Sequence, residues 1–415
     1  MDGKIEKKII INFLYQIFGK VITSFVGFIV SVLIARHLGL LGFGQYNLIF
    51  TFLGLAGIIA DFGLATLLIR EVAAGRGEEK FFAGVFSLRL ILNILVILIL
   101  LVVFPFLPYS EIVKRGIILA LLGNVFLSLS SVIWAVYQAR LKFFNVVVIQ
   151  VLSCILTALL VIFGVTKQKP LLFFVFANVA GNFAGFILSL KTLKNLRVFF
   201  IFDKKLFGKI VNEVWPIALW AIVSTFYFKI DSIILASFYN PLKTSDLGLY
   251  SAAYKYFEVV GVFFGFFQLT VFPVVSARLK KKNFSDLLKR LVLMTIILAI
   301  AATLSLLTLS TFLIGFYGSQ FSPAVSALRI LSLSSGLSVL SGIWLAIAIA
   351  GGKQRQILAF SIMALFLNIV LNFWAIPKFS YLGASWVTVL TQLFITVTDF
   401  IVAQKILISK ENDGL

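Results

Sequence analysis

The sequence predicts an all-α polytopic membrane protein with about twelve transmembrane helices. Of its 415 residues, 61% are hydrophobic and only 13% are charged, and the mean hydropathy is +1.09. A soluble domain carries about 25% charged residues, so its core could not account for this composition. The apolar residues also form long runs, and about 20 apolar residues suffice for a helix to cross the hydrocarbon core of a bilayer. Barrel strands need only about 10 residues, so helices are the predicted spans.

We predict twelve spans, an even number that places both termini on the same side of the membrane. The spans cover residues 11–35, 43–69, 82–104, 116–138, 145–165, 171–190, 215–239, 249–275, 291–314, 324–350, 357–376 and 382–407. Most of the 36 Lys and Arg residues lie in the connections on the side of the termini, above all in residues 191–209 and 278–290. Because basic residues mark the cytoplasmic side, both termini are predicted to be cytoplasmic.

The chain divides into two halves of six spans each. The longest inner connection, residues 191–214, is predicted to be a basic, amphipathic cytoplasmic linker that lies along the membrane surface. It separates an N-terminal six-helix bundle, residues 1–190, from a C-terminal one, residues 215–415. A short echo supports this division, since GFGQY at 42–46 and DLGLY at 246–250 begin corresponding spans. Paired halves are common in transporters, which handle their substrate between the repeats.

Ionisable residues lie well inside several spans. The seventh span contains Lys229 and Asp231, and the eighth contains Lys255 and Glu258. A charge at membrane depth costs roughly 2.5–3.5 kcal/mol, so such residues usually face a protein interior or a wet cavity. Lys255 and Glu258 are three residues apart and could simply pair with each other. Packing and pairing among the helices therefore compete with a functional role for each of these residues.

Three other charged residues of the spans lie nearer to a predicted membrane face. Lys20 and Arg89 are close enough to the interface for their long side chains to reach water by snorkelling. Asp399 lies near the inner end of the twelfth span, where we expect water to solvate it.

Basic residues within the spans suggest an anionic substrate. A cavity lined by lysines would attract an anion such as a pyrophosphate, which Lys binds as a point charge. The predicted substrate-binding residues are Lys20, Lys229, Lys255 and Arg329. The acidic residues predicted to balance these charges or to carry coupled protons are Asp61, Asp231 and Glu258.

No arrangement typical of an enzyme, a cofactor site or a nucleic-acid-binding module is apparent. The sequence contains neither a Walker A motif nor a zinc-ligand spacing, and its single cysteine, Cys154, lies in an apolar run. Its single histidine, His37, lies at the end of a span and is interpreted as an interfacial residue. The basic residues lie in short tracts between spans, which favours topology signals over nucleic-acid binding. We therefore predict a transporter without catalytic residues, metal or cofactor, powered by an ion gradient, the substrate gradient or a partner protein.

Two groups of motifs resemble the polysaccharide-biosynthesis flippases of the multidrug/oligosaccharidyl-lipid/polysaccharide exporter superfamily. The first span is followed by ARHLGLLGFGQY, and the second closes with DFGLATLLIREVA. Near the C-terminus, GGKQRQI is followed by Asn368, Asn372 and IPKFSYLGAS. The resemblance covers essentially the whole chain. The segment KFSYLG departs from the family, which often has a compact Tyr-Gly-x-x-Gly turn there.

The resemblance implies two six-helix bundles around a central cavity that opens alternately to the inside and the outside. The cargo that it implies is an oligosaccharide repeat unit on a polyprenyl pyrophosphate, moved from the cytoplasmic to the outer leaflet of the cell (inner) membrane. Its implied partners are this lipid-linked oligosaccharide, the lipid bilayer and polysaccharide polymerase or assembly proteins.

Three alternatives remain at this point. An ion-coupled multidrug or cation antiporter of the same superfamily would need a net acidic cavity, whereas acidic and basic residues are nearly balanced within the spans. A peptidoglycan-precursor flippase would have a similar cavity, but such proteins usually carry two further helices after the twelfth. A scaffold within a polysaccharide assembly complex would show no flux.

Overall fold

The computed structural model describes residues 3–75, 78–193, 200–238, 241–279 and 284–412. Within these ranges the chain is helical and contains no strand. Its α-helices are α1 (Gly3–Asp61), α2 (Leu64–Ala73), α3 (Glu78–Val103), α4 (Glu111–Ala139), α5 (Phe143–Thr166), α6 (Leu171–Thr192), α7 (Lys204–Ser237), α8 (Pro241–Arg278), α9 (Phe284–Gly315), α10 (Ala324–Ala350) and α11 (Gln354–Asn412). Short 3₁₀ turns follow α3 and α9 at Phe104–Phe106 and Ser319–Phe321.

The described helices supply the predicted number of membrane crossings. Nine stretches are long and apolar enough to cross a membrane, and a tenth consists of Ser245–Gly265 and Thr270–Arg278, bent by 44°. Two of the nine, Ile10–Asp61 and Gln354–Ser409, are 52 and 56 residues long. At 1.5 Å per residue each extends roughly 80 Å, more than twice a hydrocarbon core of about 30 Å. Because each of the two can cross twice, the total agrees with the predicted twelve spans.

Three backbone breaks set the limits of these crossings. Gly39 divides α1 with φ 69° and ψ −174°, a conformation that is essentially restricted to glycine. Phe62 and Gly63 have φ of 44° and 71°, so α1 ends at Asp61 and the chain turns into α2. The prediction that the second span continues to residue 69 is therefore wrong, because a left-handed pair of residues interrupts the helix. Ser380, with φ 50°, divides α11 in the same way that Gly39 divides α1.

The chain folds as two compact units, Met1–Thr225 and Phe226–Leu415, here called unit 1 and unit 2. In unit 1, α4 packs against α1, α2, α3 and α6. In unit 2, α10 is the central helix, and α8, α9 and α11 pack around it. The boundary between unit 1 and unit 2 falls within α7. The two six-helix bundles separated by residues 191–214 stay a prediction.

Residues 200–214 of the predicted linker pack against the other helices of unit 1. Ile210 and Val214 are fully buried in the apolar core that contains α2, α3 and α4. The backbone N–H of Ile201 donates to the hydroxyl of Ser87 on α3, at 2.9 Å. The linker segment is thus held by the helices of unit 1, while its residues 194–199 lie outside the described residues.

Polar contacts also fix the start of α7. The Asp203 carboxylate accepts hydrogen bonds from the backbone N–H groups of Lys205 and Leu206 at 3.1 and 3.0 Å, and it therefore caps the helix. Its other oxygen lies 3.2 Å from the ammonium of Lys80 on α3. The Leu206 N–H and the Lys80 ammonium hold the pKa of Asp203 below its ordinary value. The cap and the ion pair together anchor the linker to α3.

Candidate functional site

A group of three charged residues connects α7 and α8 within unit 2. The Lys229 ammonium lies 2.7 Å from Oε1 of Glu258, and the Lys255 ammonium lies 3.2 Å from Oε2 of the same residue. We call Lys229, Lys255 and Glu258 the lysine–glutamate triad. The pairing expected between Lys255 and Glu258 is confirmed, and Lys229 joins it from the neighbouring helix. The side chains are 29%, 39% and 35% exposed in the order Lys229, Lys255, Glu258, so the triad is open on one side.

The triad carries a formal excess of one positive charge. Each ammonium has three N–H donors, and one of them is directed to Glu258. The Lys229 ammonium also lies 5.8 Å from the ring centre of Tyr254, within the range of a cation–π interaction. The Tyr254 hydroxyl donates to the carbonyl of Phe228 at 3.0 Å, which fixes α8 against α7. This arrangement can bind an anion through the donors that Glu258 does not use.

A second polar cluster surrounds Asp231, which is only 2% exposed. Its carboxylate accepts hydrogen bonds from the Tyr250 hydroxyl at 3.0 Å, the Thr388 hydroxyl at 2.9 Å and the Asn372 amide at 2.7 Å. These donors come from α8 and from the two parts of α11 on either side of Ser380. Three neutral donors thus hold one buried carboxylate, with no cation within ion-pair distance among the described residues.

The cluster around Asp231 continues along α11 and reaches α7. The Asn372 amide nitrogen also contacts Oδ1 of Asn368 at 2.9 Å, and the Asn368 amide lies 3.4 Å from the Thr391 hydroxyl. The Tyr227 hydroxyl donates to Thr391 at 3.1 Å. The Oδ1 atom of Asn372 is buried and has no hydrogen-bond partner among the described residues. A carboxylate held by neutral groups beside an unused acceptor is suited to take up a proton or another cation.

Unit 1 contains a buried ion pair between Arg89 on α3 and Asp61 at the end of α1. Arg89 is 4% exposed, and its Nε donates to the hydroxyl of Ser128 at 2.8 Å. Asn93 donates to the same hydroxyl at 2.9 Å and accepts from Asn124 at 3.0 Å. The expectation that Arg89 snorkels to the interface is therefore wrong, because its guanidinium is neutralised inside the helix bundle.

The remaining charged residues predicted from the sequence lie in simpler surroundings. Lys20 on α1 and Arg329 on α10 are exposed, and the Nε of Arg329 lies 3.1 Å from the Ser310 hydroxyl. Asp399 is 3% exposed and accepts a hydrogen bond from the Ser341 hydroxyl at 2.7 Å. Solvation of Asp399 was expected from its position near the span end, and that expectation is wrong, because α10 covers the carboxylate. Lys20 and Arg329 are not part of the triad.

Several residues of these sites were not among the predicted site residues. Arg89 was predicted to reach the membrane interface from its position along the span alone, because the sequence does not show that Asp61 lies beside it. Tyr250 and Tyr254 lie four residues apart on one face of α8, and this spacing could have placed them near Lys255 and Glu258. The sequence places Asn368, Asn372 and Thr388 on polar helix faces, but helical periodicity cannot show which neighbouring helix such a face meets.

Comparison with known proteins defines the family. The model of a family described as "Polysaccharide biosynthesis protein" matches residues 9–280, well over half of the chain. The chain belongs to this polysaccharide biosynthesis protein family. A curated relative, "Capsular polysaccharide biosynthesis protein CapF" of Staphylococcus aureus, is 24% identical over 409 residues, which are 94% of this chain and 96% of the relative.

Solved structures show the fold of this polysaccharide biosynthesis protein. An inward-facing multidrug resistance MATE family transporter has a TM-score of 0.74 at 12% identity, with 94% of this chain and 96% of that chain covered. The lipid II flippase MurJ in an inward closed conformation has a TM-score of 0.73 at 15% identity, with coverage of 97% and 91%. An outward-facing MATE transporter gives 0.64 at 14% identity, with coverage of 97% and 96%. The family match confirms the resemblance to polysaccharide-biosynthesis proteins, and the solved structures confirm the predicted all-α fold class.

Proposed function

We propose that this protein flips polyprenyl-pyrophosphate-linked oligosaccharide repeat units from the cytoplasmic to the outer leaflet of the cell membrane, for cell-surface polysaccharide biosynthesis. In this proposal it is a transporter rather than an enzyme, and both of its termini are cytoplasmic. Alternating access is the proposed mechanism, since relatives of the same fold adopt inward-facing and outward-facing conformations. The observation that carries the proposal is the lysine–glutamate triad, a positively charged group among apolar helices.

The triad supplies the chemistry that a pyrophosphate head group needs. Two ammonium groups converge on one carboxylate, so the group has a net positive charge that attracts the dianionic pyrophosphate diester of the lipid-linked oligosaccharide. A hydrogen bond to a charged group contributes about 1.5–3 kcal/mol, which corresponds to roughly 10- to 150-fold in affinity. In this proposal Lys229 and Lys255 bind the head group, Glu258 partly neutralises them in its absence, and Lys20 and Arg329 are further substrate contacts.

The Asp231 cluster is the proposed coupling site. The Asp231 carboxylate is 2% exposed and held by neutral donors, so binding a proton or another cation neutralises a buried charge that has no other counter-ion among the described residues. Its donors come from α8 and from both parts of α11, so its occupancy can bias how these helices pack. Asp61 is proposed to balance the charge of Arg89, because the two already form an ion pair.

Leaflet exposure in proteoliposomes tests the proposal. A polyprenyl-pyrophosphate oligosaccharide is placed in the inner leaflet, and its arrival in the outer leaflet is followed with an impermeant sugar-modifying reagent. We expect protein-dependent exposure that falls at least tenfold in Lys229→Ala and Lys255→Ala. Lys378→Ala is the matched control, because Lys378 is an exposed lysine of unit 2 whose ammonium packs on Trp374 at 4.3 Å.

Three outcomes would contradict the proposal in different ways. No exposure under any proton or sodium gradient, together with efflux of organic cations, would favour the antiporter alternative. Exposure of the peptidoglycan precursor in preference to the oligosaccharide would change the substrate. Equal loss in Lys255→Ala and Lys378→Ala would show that the triad has no special role in transport.

A further inference from the structure

A groove runs along unit 2 between α9 and the C-terminal part of α11, with α10 as its floor. Two adjoining cavities of about 470 and 310 Å³ form it, and both are lined by Leu340 of α10. The other lining residues lie between Val292 and Leu304 of α9, between Leu333 and Trp344 of α10, and between Val389 and Phe400 of α11. Both α9 and α11 pack on α10, and the groove is the space left between them.

The walls of the groove offer almost no hydrogen-bonding surface. The Thr295 hydroxyl donates to the carbonyl of Leu291 at 2.7 Å, and the Thr396 hydroxyl donates to the carbonyl of Gln392 at 2.8 Å. The Thr396 hydroxyl also lies 3.1 Å from the carbonyl of Leu337 on α10, so both hydroxyls are used by backbone carbonyls, and most of the other lining side chains are aliphatic or aromatic. A surface of this kind binds hydrocarbon rather than water or a sugar.

The groove faces away from the helix that carries most of the triad. A side chain at Gly342 of α10 would collide with Phe264 and Gln268, so this position of α10 faces α8. Leu340, in the groove, precedes Gly342 by two residues, which is about 200° around a helix. Lys255 and Glu258 of the triad lie on α8, on the other side of α10. A hydrocarbon chain in the groove therefore belongs to a molecule other than the one proposed at the triad.

The length and the charge of the groove suggest which molecule this is. Its α9 wall runs from Val292 to Leu304, which is about 18 Å at 1.5 Å per residue. This length is close to the hydrocarbon depth of one leaflet, half of about 30 Å. Lys289 is exposed and lies one helical turn before Val292, on the same stripe of α9. A lipid with one chain in the groove would place its phosphate beside this ammonium.

We propose that the groove is a binding site for one acyl chain of an anionic phospholipid of the surrounding bilayer, with its phosphate at Lys289. The site is distinct from the substrate site, and it binds a lipid that remains with the protein during transport. Both the hydrocarbon contact and the ion pair contribute, so an anionic phospholipid binds better than a zwitterionic one at equal chain length.

Native mass spectrometry of the purified full-length protein in detergent tests the site. Phosphatidylglycerol and phosphatidylcholine are titrated separately, and the first bound lipid is measured. We expect Lys289→Glu to weaken the phosphatidylglycerol complex at least fivefold, and Lys353→Glu, at another exposed lysine of unit 2, to leave it unchanged. Ile300→Trp fills the open side of the groove and should weaken both lipids. Ile297→Trp, at an exposed residue one turn away that lines neither cavity, should weaken neither lipid.

The outcomes separate this site from general lipid association. Equal effects of Lys289→Glu and Lys353→Glu, or of Ile300→Trp and Ile297→Trp, would overturn the proposal. Polyprenyl phosphate that displaces phosphatidylglycerol from the wild type but not from Ile300→Trp would also overturn it, because the groove would then serve the substrate. The experiment measures lipid binding and not flipping. A negative result would therefore overturn the lipid site and leave the transport proposal unaffected, and a failure of the transport assay would leave the lipid site unaffected.

Discussion

Replacing Asp61 by Asn should strongly destabilise unit 1, because it removes the charge that neutralises Arg89. Arg89 is 4% exposed, and its Nη1 is buried without a hydrogen-bond partner among the described residues. The substitution leaves the guanidinium with neutral acceptors only, the Ser128 hydroxyl and an amide oxygen at position 61, and with no ionised partner. The amide of Asn keeps the volume of the carboxylate, so the measured effect isolates the loss of charge.

The size of the effect follows from the burial of the two partners. Removing one partner of a buried ion pair costs about 3–5 kcal/mol, because the other charge stays buried and unneutralised. The Asp61 side chain is 26% exposed, so water can enter its place and the effect lies at the lower end. We expect a loss of about 3 kcal/mol, which is on the order of 100-fold in the equilibrium between folded and unfolded protein.

Reversible unfolding in mixed detergent and dodecyl sulfate micelles measures this loss. Glu111→Gln is the matched control, because Glu111 is 76% exposed and pairs with Lys114 at 3.7 Å. It should cost less than about 0.5 kcal/mol, as exposed pairs usually do. The double variant Asp61→Asn with Arg89→Gln should be more stable than Asp61→Asn alone, because no charge remains unneutralised. An effect of Asp61→Asn as small as that of the control, or a double variant less stable than the single one, would refute this reasoning.

Three further predictions concern other positions. Gly39→Ala should destabilise the fold by about 1–3 kcal/mol in the same unfolding assay, since only glycine readily adopts its φ and ψ; a change below 0.5 kcal/mol would contradict the assigned break. Asp399→Asn should lower the free energy of unfolding by less than about 1 kcal/mol, because an amide oxygen can still accept from Ser341 and no paired cation is left behind. A loss equal to that of Asp61→Asn would be evidence against this account. Asp203→Ala should increase amide hydrogen exchange at the start of α7, because it removes the helix cap and the ion pair with Lys80. The pKa of Asp203 is lowered because both contacts stabilise the ionised carboxylate, so the wild type should show the same increase in exchange as the pH falls below about 4. Unchanged exchange in the variant would show that the cap contributes nothing.

The class of fold could be predicted because hydrophobicity alone determines it. Long apolar runs and the charge distribution indicate helical spans whatever their neighbours are, and the predicted segments fall on helices of the described structure, except that the second is interrupted after Asp61. The ends of the spans were harder to predict, because a break such as that at Phe62 and Gly63 depends on two dihedral angles within an apolar run. The sequence predicted a linker along the membrane surface but could not show that its apolar residues pack into the core of unit 1, because the same apolar face can contact either lipid or protein.

The sites could be predicted only where their members are close in sequence. Lys255 and Glu258 are one helical turn apart, so their pairing was foreseeable. Asp231 and Thr388 are separated by 157 residues, and only the packing of α7 against α11 brings them together. Periodicity shows which face of a helix is polar, but the identity of the facing helix is a property of the tertiary structure.

Binding of farnesyl pyrophosphate to the purified protein, measured by calorimetry, tests the central claim most directly. If the triad holds a pyrophosphate, Lys229→Ala and Lys255→Ala should each weaken binding about tenfold or more. Glu258→Gln should leave binding at least as strong as in the wild type, because it removes the internal competitor for both ammonium groups. A triad with only a structural role would lose binding in all three variants or in none. Weaker binding in Glu258→Gln, or unchanged binding in both lysine variants, would contradict the account.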